Sequence, residues 1–202
     1  PCVGAHPSNI ILLTCDAFGI LPPVAKLTPA QASYFFLNGY TAKIAGTEMG
    51  VTKPEATFSA CFGAAFLVHH PNRYSQLLAA KMQEHGTHAW LVNTGWSGGG
   101  VGEGERIQLK VTRAIINNIH SGQLAETPTH TEAVFGLAIP QQVSGCPIDI
   151  LTPRATWKDP FAYDKSAEQL AQLFRDNFTQ YIDQVDEEVL AAGPGHPLRK
   201  TG

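Results

Sequence analysis

The strongest constraint on the fold is a continuous run of apolar residues near the start of the sequence. "NIILLTC", from Asn9 to Cys15, is rich in apolar and β-branched side chains. Such a run is typical of a β-strand buried on both faces, as in the sheets of α/β proteins. Gly19 and Pro22-Pro23 in the following "DAFGILPPV" prevent regular structure from continuing. We therefore predict a buried strand that ends in a turn beginning at Asp16.

Three segments carry the signals of helices. The segment from Thr28 to Leu37 begins with a capping Thr and a Pro at the first helical position, and it should end near Asn38-Gly39. The segment from His70 to Gly86 has Gly86 as its C-terminal cap, and Asp164 to Tyr181 has the apolar spacing of an amphipathic helix. The apolar face of the second segment consists of Tyr74, Leu77, Leu78 and Met82. Together with a second strand predicted over His88 to Asn93, these helices indicate an α/β domain.

A glycine-rich stretch, "GWSGGGVGEGER", follows that second strand. Gly99 and Gly104 have the spacing of a phosphate-binding loop, but Glu105 and Arg106 stand where such a loop needs Lys and then Ser or Thr. A glutamate there would repel a triphosphate, so the stretch is not a phosphate loop. Beyond it, the alternation from Arg106 to Lys110 predicts a short strand, and Thr112 can cap a helix that runs through Ile119.

A second glycine-rich connection runs from Gly39 to Gly63. It shows no sustained helical or strand periodicity, and connections this long without an element of their own are usually functional or disordered. Two interpretations are open. The connection is either a mobile lid that closes on a ligand, or a partly ordered excursion on the surface.

Composition narrows the classes of partner. The 202 residues are 44% hydrophobic and carry a net charge of −3, which gives no reason to expect nucleic acid or an anionic membrane as a partner. The longest apolar run is far shorter than the roughly 20 residues that span a bilayer. The four cysteines lie far apart and are expected to be reduced thiols, and the eight histidines show no metal-binding spacing. A small molecule or a protein remains as the partner.

Asp16 is the most notable carboxylate, because ligands of parallel α/β sheets lie beyond the carboxyl ends of the strands. It could be close to an active site, or it could bind the backbone N–H groups of its own turn. No Ser-His-Asp order and no nucleophile elbow is visible. The residues alone therefore indicate an α/β domain with two glycine-rich loops near strand ends and no evident catalytic centre.

Several strings in order resemble a known family. "LLTCDAFGILPPVAKLTPAQASYFFLNGYTAKIAGTE", "FSACFGAAFLVHHP", "WLVNTGWSGG" and "RIQLKVTRAIINNIHSG" resemble the C-terminal part of ATP-dependent phosphoenolpyruvate carboxykinase. The resemblance implies an α/β fold with a mixed sheet, the C-terminal part of that family's mononucleotide-binding domain. It makes residues 1–202 a nucleotide-binding and lid segment with the lid at about 39–58, and the chain is expected to be a piece of a longer protein. The N-terminal domain and the phosphate loop would lie upstream.

The resemblance also implies an activity. Members of the family are carboxy-lyases of gluconeogenesis that convert oxaloacetate and ATP to phosphoenolpyruvate, CO₂ and ADP with Mg²⁺ and Mn²⁺. The metal ligands and the oxaloacetate-binding residues would lie upstream, so this segment alone is predicted to be inactive. The expected partners are oxaloacetate, ATP and the N-terminal part of the same enzyme, and neither nucleic acid nor a membrane is expected as a partner. The expected location is the cytoplasm, and a homo-oligomer is possible. The alternative is a non-catalytic nucleotide-binding or dimerisation fragment.

Three residues match the family's ATP contacts on the base and sugar side: Arg106, Ile107 and Thr112. A guanidinium can stack on an adenine or donate to its acceptors, Ile107 can supply an apolar wall or a backbone contact, and Thr112 supplies a hydroxyl. The alternatives are a surface charge, a core residue and a helix cap. Thr47 and Glu48 fall in the middle of the implied lid, and no catalytic or metal-binding residue is expected in this segment.

Overall fold

A computed structural model describes residues 2–44 and 54–195 of the chain. The strands are β1 (Asn9–Thr14), β2 (Val24–Leu27), β3 (Tyr40–Lys43), β4 (Glu55–Phe58), β5 (His88–Asn93), β6 (Trp96–Ser97), β7 (Glu105–Arg106), β8 (Thr129–Thr131) and β9 (Ala138–Pro140). The helices are α1 (Pro29–Asn38), α2 (Pro71–His85), α3 (Leu109–His120), α4 (Pro153–Thr156), α5 (Pro160–Phe178) and α6 (Glu187–Ala191).

Five of these strands form one sheet in the order β1-β5-β2-β9-β8. β1 and β5 are parallel and in register from Asn9 opposite His88, whereas β2 is antiparallel to β5 and β9 is antiparallel to both of its neighbours. The sheet is therefore mixed, and the predicted α/β class with a mixed sheet is confirmed.

The expectation that the first strand is buried on both faces is wrong. β1 lies at an edge of the described sheet, and Leu13 is 55% exposed while its neighbours Leu12 and Thr14 are buried. Successive side chains of a strand point to opposite faces, so only one face of this end of β1 is covered. An unbroken apolar run does not distinguish a strand with one covered face from a strand with two.

The first predicted helix is confirmed together with its capping chemistry. Thr28 Oγ1 accepts a hydrogen bond from the backbone N of Gln31 at 3.1 Å, and Gln31 Oε1 accepts one from the backbone N of Thr28 at 3.1 Å. This reciprocal pair satisfies two N–H groups at the start of α1. Gly39 ends the helix in the left-handed conformation, with φ of 55°, which glycine adopts without a steric penalty.

The other two predicted helices are present, but one face of α2 and the start of α5 differ from the prediction. α2 ends at Gly86 as predicted, but Leu77 on its supposed apolar face is 56% exposed. α5 begins at Pro160, because Asp159 Oδ1 accepts from the backbone N of Phe161 at 2.9 Å and so caps the helix before the predicted start. A 3₁₀ turn over Thr179–Gln184 follows α5 and keeps Tyr181 buried.

Two hydrophobic clusters cover the two faces of the sheet. In β5, Ala89 and Leu91 belong to a cluster under α1, α2 and α5, and the alternating residues Trp90 and Val92 belong to a cluster under α3. The first cluster is rich in aromatic side chains, including Tyr34, Tyr40, Phe174 and Phe178. The second is mainly aliphatic and contains Ile107, Val111, Ile115 and Ile119.

The connection from Gly39 to Gly63 contains regular structure that the periodicity did not reveal. β3 and β4 pair antiparallel, from Tyr40 opposite Phe58 to Lys43 opposite Glu55. Each strand has only four residues, which is too short for an alternating pattern to stand out. Residues 45–53, with Thr47 and Glu48, lie outside the described residues.

Candidate functional site

The candidate site lies where the parallel strands β1 and β5 end. Two loops leave their carboxyl ends side by side: residues 15–23, the β1 loop, and residues 94–108, the β5 loop. In open α/β sheets this edge is where ligands bind. A few buried side chains shape these two loops.

Asp16 holds the β1 loop together from within. Its side chain is fully buried, and its Oδ1 accepts from the backbone N of Phe18 at 3.0 Å. Its Oδ2 accepts from the backbone N of Ile20 at 2.6 Å and of Leu21 at 2.8 Å. The second of the two interpretations of Asp16 is thus confirmed, since the carboxylate binds N–H groups of its own turn.

A fourth hydrogen bond joins Asp16 to the start of β3. The Tyr40 hydroxyl donates to Asp16 Oδ1 at 2.9 Å. Burial raises the pKa of the Asp16 carboxyl, and the three backbone N–H groups and the Tyr40 hydroxyl act to lower it. Burial first, and the neighbouring carboxylate second, raise the pKa of Tyr40 well above its usual value, so this hydroxyl keeps its proton and donates.

Asn93, the last residue of β5, joins the two loops, because it bonds to the β5 loop at Gly95 and to the β1 loop at Asp16 and Leu21. Its Oδ1 accepts from the backbone N of Asp16 at 3.0 Å and of Gly95 at 2.8 Å, and its Nδ2 donates to the Leu21 carbonyl at 2.9 Å. The side chain is fully buried. Sequence reasoning missed this residue, although a polar side chain that ends an otherwise apolar strand was a usable signal.

The glycines of the β5 loop permit close contact with the β1 loop. A Cβ atom on Gly95 would lie 2.0 Å from the carbonyl oxygen of Asp16, and one on Gly19 would lie 2.2 Å from the carbonyl oxygen of Gly99. The backbone N of Trp96 donates to the Asp16 carbonyl at 2.8 Å, and that of Val101 donates to the Ala17 carbonyl at 2.9 Å. The glycine-rich stretch therefore packs backbone against backbone on the neighbouring loop.

Arg106 is an exposed cation of this site, and two contacts orient it. β6 and β7 place Arg106 directly opposite Trp96, and the guanidinium carbon lies 5.2 Å from the centroid of the Trp96 ring. Arg106 Nε donates to the Thr94 carbonyl at 3.3 Å. The terminal guanidinium nitrogens make no hydrogen bond to any residue that the structure describes, so they can bind a ligand.

A cavity of about 470 Å³ opens beside Arg106. Its apolar wall includes Ile107, Val111 and Ile150. Its charged side chains are the cations Arg106, Lys110 and Lys158 and the acids Glu103 and Glu105. A planar apolar group with attached polar groups would match this combination of walls.

Ile107 is in this cavity but Thr112 is not among its lining residues. Ile107 is 7% exposed, belongs to the aliphatic cluster, and donates from its backbone N to the Gly95 carbonyl at 2.8 Å. Of the three predicted residues, the structure thus brings Arg106 and Ile107 to one cavity. Thr112 lies farther along α3 and is half-buried.

Two local predictions around these residues are wrong. The strand predicted from Arg106 to Lys110 is only Glu105–Arg106, and α3 begins at Leu109 with Gln108 as its N-cap. Thr112 therefore lies in the first turn of the helix instead of capping it. Gln108 makes no side-chain capping hydrogen bond, so the sequence carries no signal for this helix start.

The described part of the chain contains neither a cluster of metal ligands nor a helix able to span a membrane. Across residues 2–44 and 54–195, no group of three or more His, Cys, Asp or Glu side chains could hold a metal ion. Over the same residues, no helix has both the length and the apolar character needed to cross a bilayer. All four cysteines are free thiols.

Comparison with known proteins identifies the family. The family model for phosphoenolpyruvate carboxykinase matches residues 1–149. The chain belongs to the phosphoenolpyruvate carboxykinase family, and the resemblance found in the sequence is confirmed.

Named relatives are similar to the chain over nearly its whole length. Phosphoenolpyruvate carboxykinase (ATP) 2 of Salinibacter ruber is 56% identical over 194 residues, which cover 96% of this chain and 37% of that protein. The protein named phosphoenolpyruvate carboxykinase (ATP) from Zea mays is 53% identical over 201 residues, which cover 96% of this chain and 30% of that protein. The one from Dictyostelium discoideum is 51% identical over 194 residues, which cover 96% of this chain and 34% of that protein. The chain thus spans about a third of the length of the curated relatives it matches.

Proposed function

We propose that this chain is the C-terminal part of an ATP-dependent phosphoenolpyruvate carboxykinase. Such an enzyme converts oxaloacetate and ATP to phosphoenolpyruvate, CO₂ and ADP in gluconeogenesis. Family membership supports the proposal, as do relatives above 50% identity that carry this name and are roughly three times as long. On this proposal the rest of the enzyme is the chain's main protein partner, and the protein works in the cytoplasm.

Within that enzyme, we assign Arg106, Ile107 and Thr112 to the base and sugar side of ATP. The observation that carries this assignment is the exposed Arg106 guanidinium beside a cavity at the carboxyl ends of β1 and β5. Arg106 would stack on the base or donate to its acceptors, Ile107 would form an apolar wall, and Thr112 would offer its hydroxyl from the first turn of α3. The ATP phosphates would lie against upstream residues.

The cofactors divide between this segment and the upstream part. The chemistry of the cavity fits a nucleoside, because Ile107, Val111 and Ile150 would pack against a planar ring and the lining also includes the cations Arg106, Lys110 and Lys158. When bound, ATP supplies the phosphoryl group. The described residues do not fit Mg²⁺ or Mn²⁺, since no group of ligands is assembled among them, and we assign both metals to the upstream part.

We further propose that residues 39–58 form the lid of the active site. Its described ends are the strands β3 and β4, which are joined to the site at Tyr40. Thr14 Oγ1 donates to the Tyr40 carbonyl at 2.8 Å, and the Tyr40 hydroxyl bonds to Asp16. A lid attached at this point would close beside the nucleotide and exclude water from phosphoryl transfer.

Calorimetric titration of the full-length protein with ATP and with adenosine tests the assignment of Arg106. Arg106→Ala should weaken both ligands by a similar factor, because a contact on the base side is shared by both. The matched control is Arg73→Ala, which removes an exposed arginine on α2 and should change neither affinity. Weaker ATP binding with unchanged adenosine binding would instead assign Arg106 to the phosphates and contradict the proposal.

An activity assay tests whether the segment depends on the rest of the enzyme. We expect no oxaloacetate-dependent formation of ADP from residues 1–202 alone, and full activity from the full-length protein. Activity of the isolated segment would refute the proposal that catalytic residues lie upstream. Nucleotide binding by a full-length protein that lacks this activity would favour the alternative of a non-catalytic binding protein, and gel filtration of that protein reports whether it self-associates.

A further inference from the structure

The Arg106 side chain is presented by a short ribbon whose other strand carries an aromatic ring. Trp96 and Arg106 are cross-strand partners in the antiparallel pair of β6 and β7. Directly opposite side chains of such a pair lie on the same face of the ribbon and contact each other. The guanidinium carbon is 5.2 Å from the ring centroid, within the range of a cation–π interaction.

Trp96 is itself fixed to the end of the sheet. Its backbone N donates to the Asp16 carbonyl at 2.8 Å, and the preceding Gly95 packs against the Asp16 backbone. The Gly95 N donates to Asn93 Oδ1, which is buried. The backbone that carries the Trp96 ring is therefore fixed to the end of the sheet, and this sets the position of Arg106 relative to the ring.

The second contact of Arg106 leaves its binding groups free. Nε donates to the Thr94 carbonyl, and Thr94 is held in turn because its backbone N and its Oγ1 both donate to the Thr14 carbonyl, at 2.9 and 3.1 Å. One face of the guanidinium rests on Trp96 and one edge on Thr94. The terminal nitrogens make no hydrogen bond to any residue described in the structure, so they remain available to a ligand.

We propose that Trp96 is a positioning residue for Arg106, which it holds in the orientation that binds the nucleotide. This inference rests on the proposed function of Arg106. A long arginine side chain loses rotamer freedom when it binds a ligand, and a side chain already held in place loses less. Trp96 raises nucleotide affinity through Arg106 and does not need to touch the nucleotide itself.

A double-mutant cycle in the full-length protein tests this role. The dissociation constant of ATP is measured by calorimetry for the wild type, Trp96→Leu, Arg106→Ala and the double variant. Trp96→Leu should weaken ATP binding by about two- to fivefold, the factor expected from a partly exposed cation–π contact. In the Arg106→Ala background, the same substitution should have no further effect. A merely structural role of Trp96 would weaken binding in both backgrounds, and that result would overturn the inference.

Conservative variants keep the test decisive if Trp96→Leu does not fold. Trp96→Tyr and Trp96→Phe retain a ring, and affinity should fall in the order Trp, Tyr, Phe only while Arg106 is present. Equal affinities in this series would contradict positioning by the ring. Phe161→Leu is the matched control, because Phe161 is an aromatic residue that is 81% exposed and does not line the cavity, so its loss should leave ATP affinity unchanged.

The two proposals can fail separately. If Arg106→Ala itself leaves ATP affinity unchanged, the assignment of Arg106 to the nucleotide is wrong. If Arg106→Ala weakens binding but Trp96→Leu does not, only the positioning role of Trp96 is refuted.

Discussion

The β1 loop and the β5 loop leave neighbouring parallel strands at the same edge of the sheet, yet they end in different roles. Two buried polar side chains support them: Asp16 binds three N–H groups of the β1 loop itself, and Asn93, at the end of β5, bonds to both loops. The β1 loop consists of Cys15 and Asp16 followed by apolar residues and glycine, and it turns inward. The β5 loop presents the charged Arg106 beside a cavity. On the proposed function, the first loop is a support and the second presents the binding group.

Asp16→Asn should have the largest effect on the free energy of unfolding, because it replaces the carboxylate that supports the β1 loop by an amide of the same shape. Four donors converge on two carboxylate oxygens, and an amide group would turn an NH₂ toward donors that need an acceptor. We expect a loss of about 3 to 5 kcal/mol in the free energy of unfolding, measured with urea. Asp149→Asn, at an exposed position, should change it by less than about 0.5 kcal/mol. A similar small loss in both would show that the β1 loop does not depend on this carboxylate.

Asn93→Ala should lower the free energy of unfolding by less, about 2 to 3 kcal/mol, because it leaves fewer buried groups unpaired. The backbone N–H groups of Asp16 and Gly95 and the carbonyl of Leu21 would lose their partner. If the β5 loop presents the binding group, the same variant should also weaken ATP binding in the full-length protein. Asn117→Ala on the exposed side of α3 is the control and should lower neither quantity.

Gly95→Ala tests the contact between the two loops. The new Cβ would lie 2.0 Å from the Asp16 carbonyl oxygen, so one backbone must move, and we expect a loss of about 2 kcal/mol in thermal or urea unfolding. Gly4→Ala is the control, since a Cβ there meets nothing within 4 Å. Equal stability of the two variants would mean that the loops separate without cost and are not packed as a unit.

The sequence predicts the bounds of a helix or strand well where residues adjacent in the sequence set them. α1 was predicted with its ends, because Thr28, Pro29 and Gly39 act on their own backbone. β5 was predicted from His88 to Asn93, and the structure has the same bounds. The helix start at Leu109 was missed, because Gln108 makes no capping hydrogen bond through its side chain.

The candidate site was predictable only in part. The resemblance supplied Arg106, Ile107 and Thr112, and Asp16 was noticed because a carboxylate follows a strand. Asn93 and Trp96 contact partners that are far away in the sequence or across a ribbon; the polar end of an apolar strand could have marked Asn93, but no local pattern identifies its partners or the contact of Trp96 with Arg106. The glycines were first compared with a phosphate loop, whereas their close approach to the β1 loop depends on the folded arrangement of two strands.

Two tyrosines give the finest test of the comparison, because each donates one hydrogen bond to the β1 loop. Tyr40 donates to the Asp16 carboxylate at 2.9 Å, and Tyr163 donates to the neutral carbonyl of Ile20 at 3.3 Å. Hydrogen bonds to charged groups contribute about 1.5 to 3 kcal/mol, against roughly 0.5 to 1.5 for neutral ones. Tyr40→Phe should therefore lower the free energy of unfolding by about 1.5 kcal/mol, and Tyr163→Phe by about 0.5 kcal/mol.

Both tyrosines are buried and each variant removes one oxygen, so they match each other in size and surroundings. A larger loss in the free energy of unfolding for Tyr40→Phe would show that the charge of Asp16 stabilises the β1 loop. Equal losses would mean that the carboxylate acts as an ordinary acceptor. In that case Asp16 and Asn93 would support their loops in the same way, and the contrast between the two loops would lie only in the exposed Arg106.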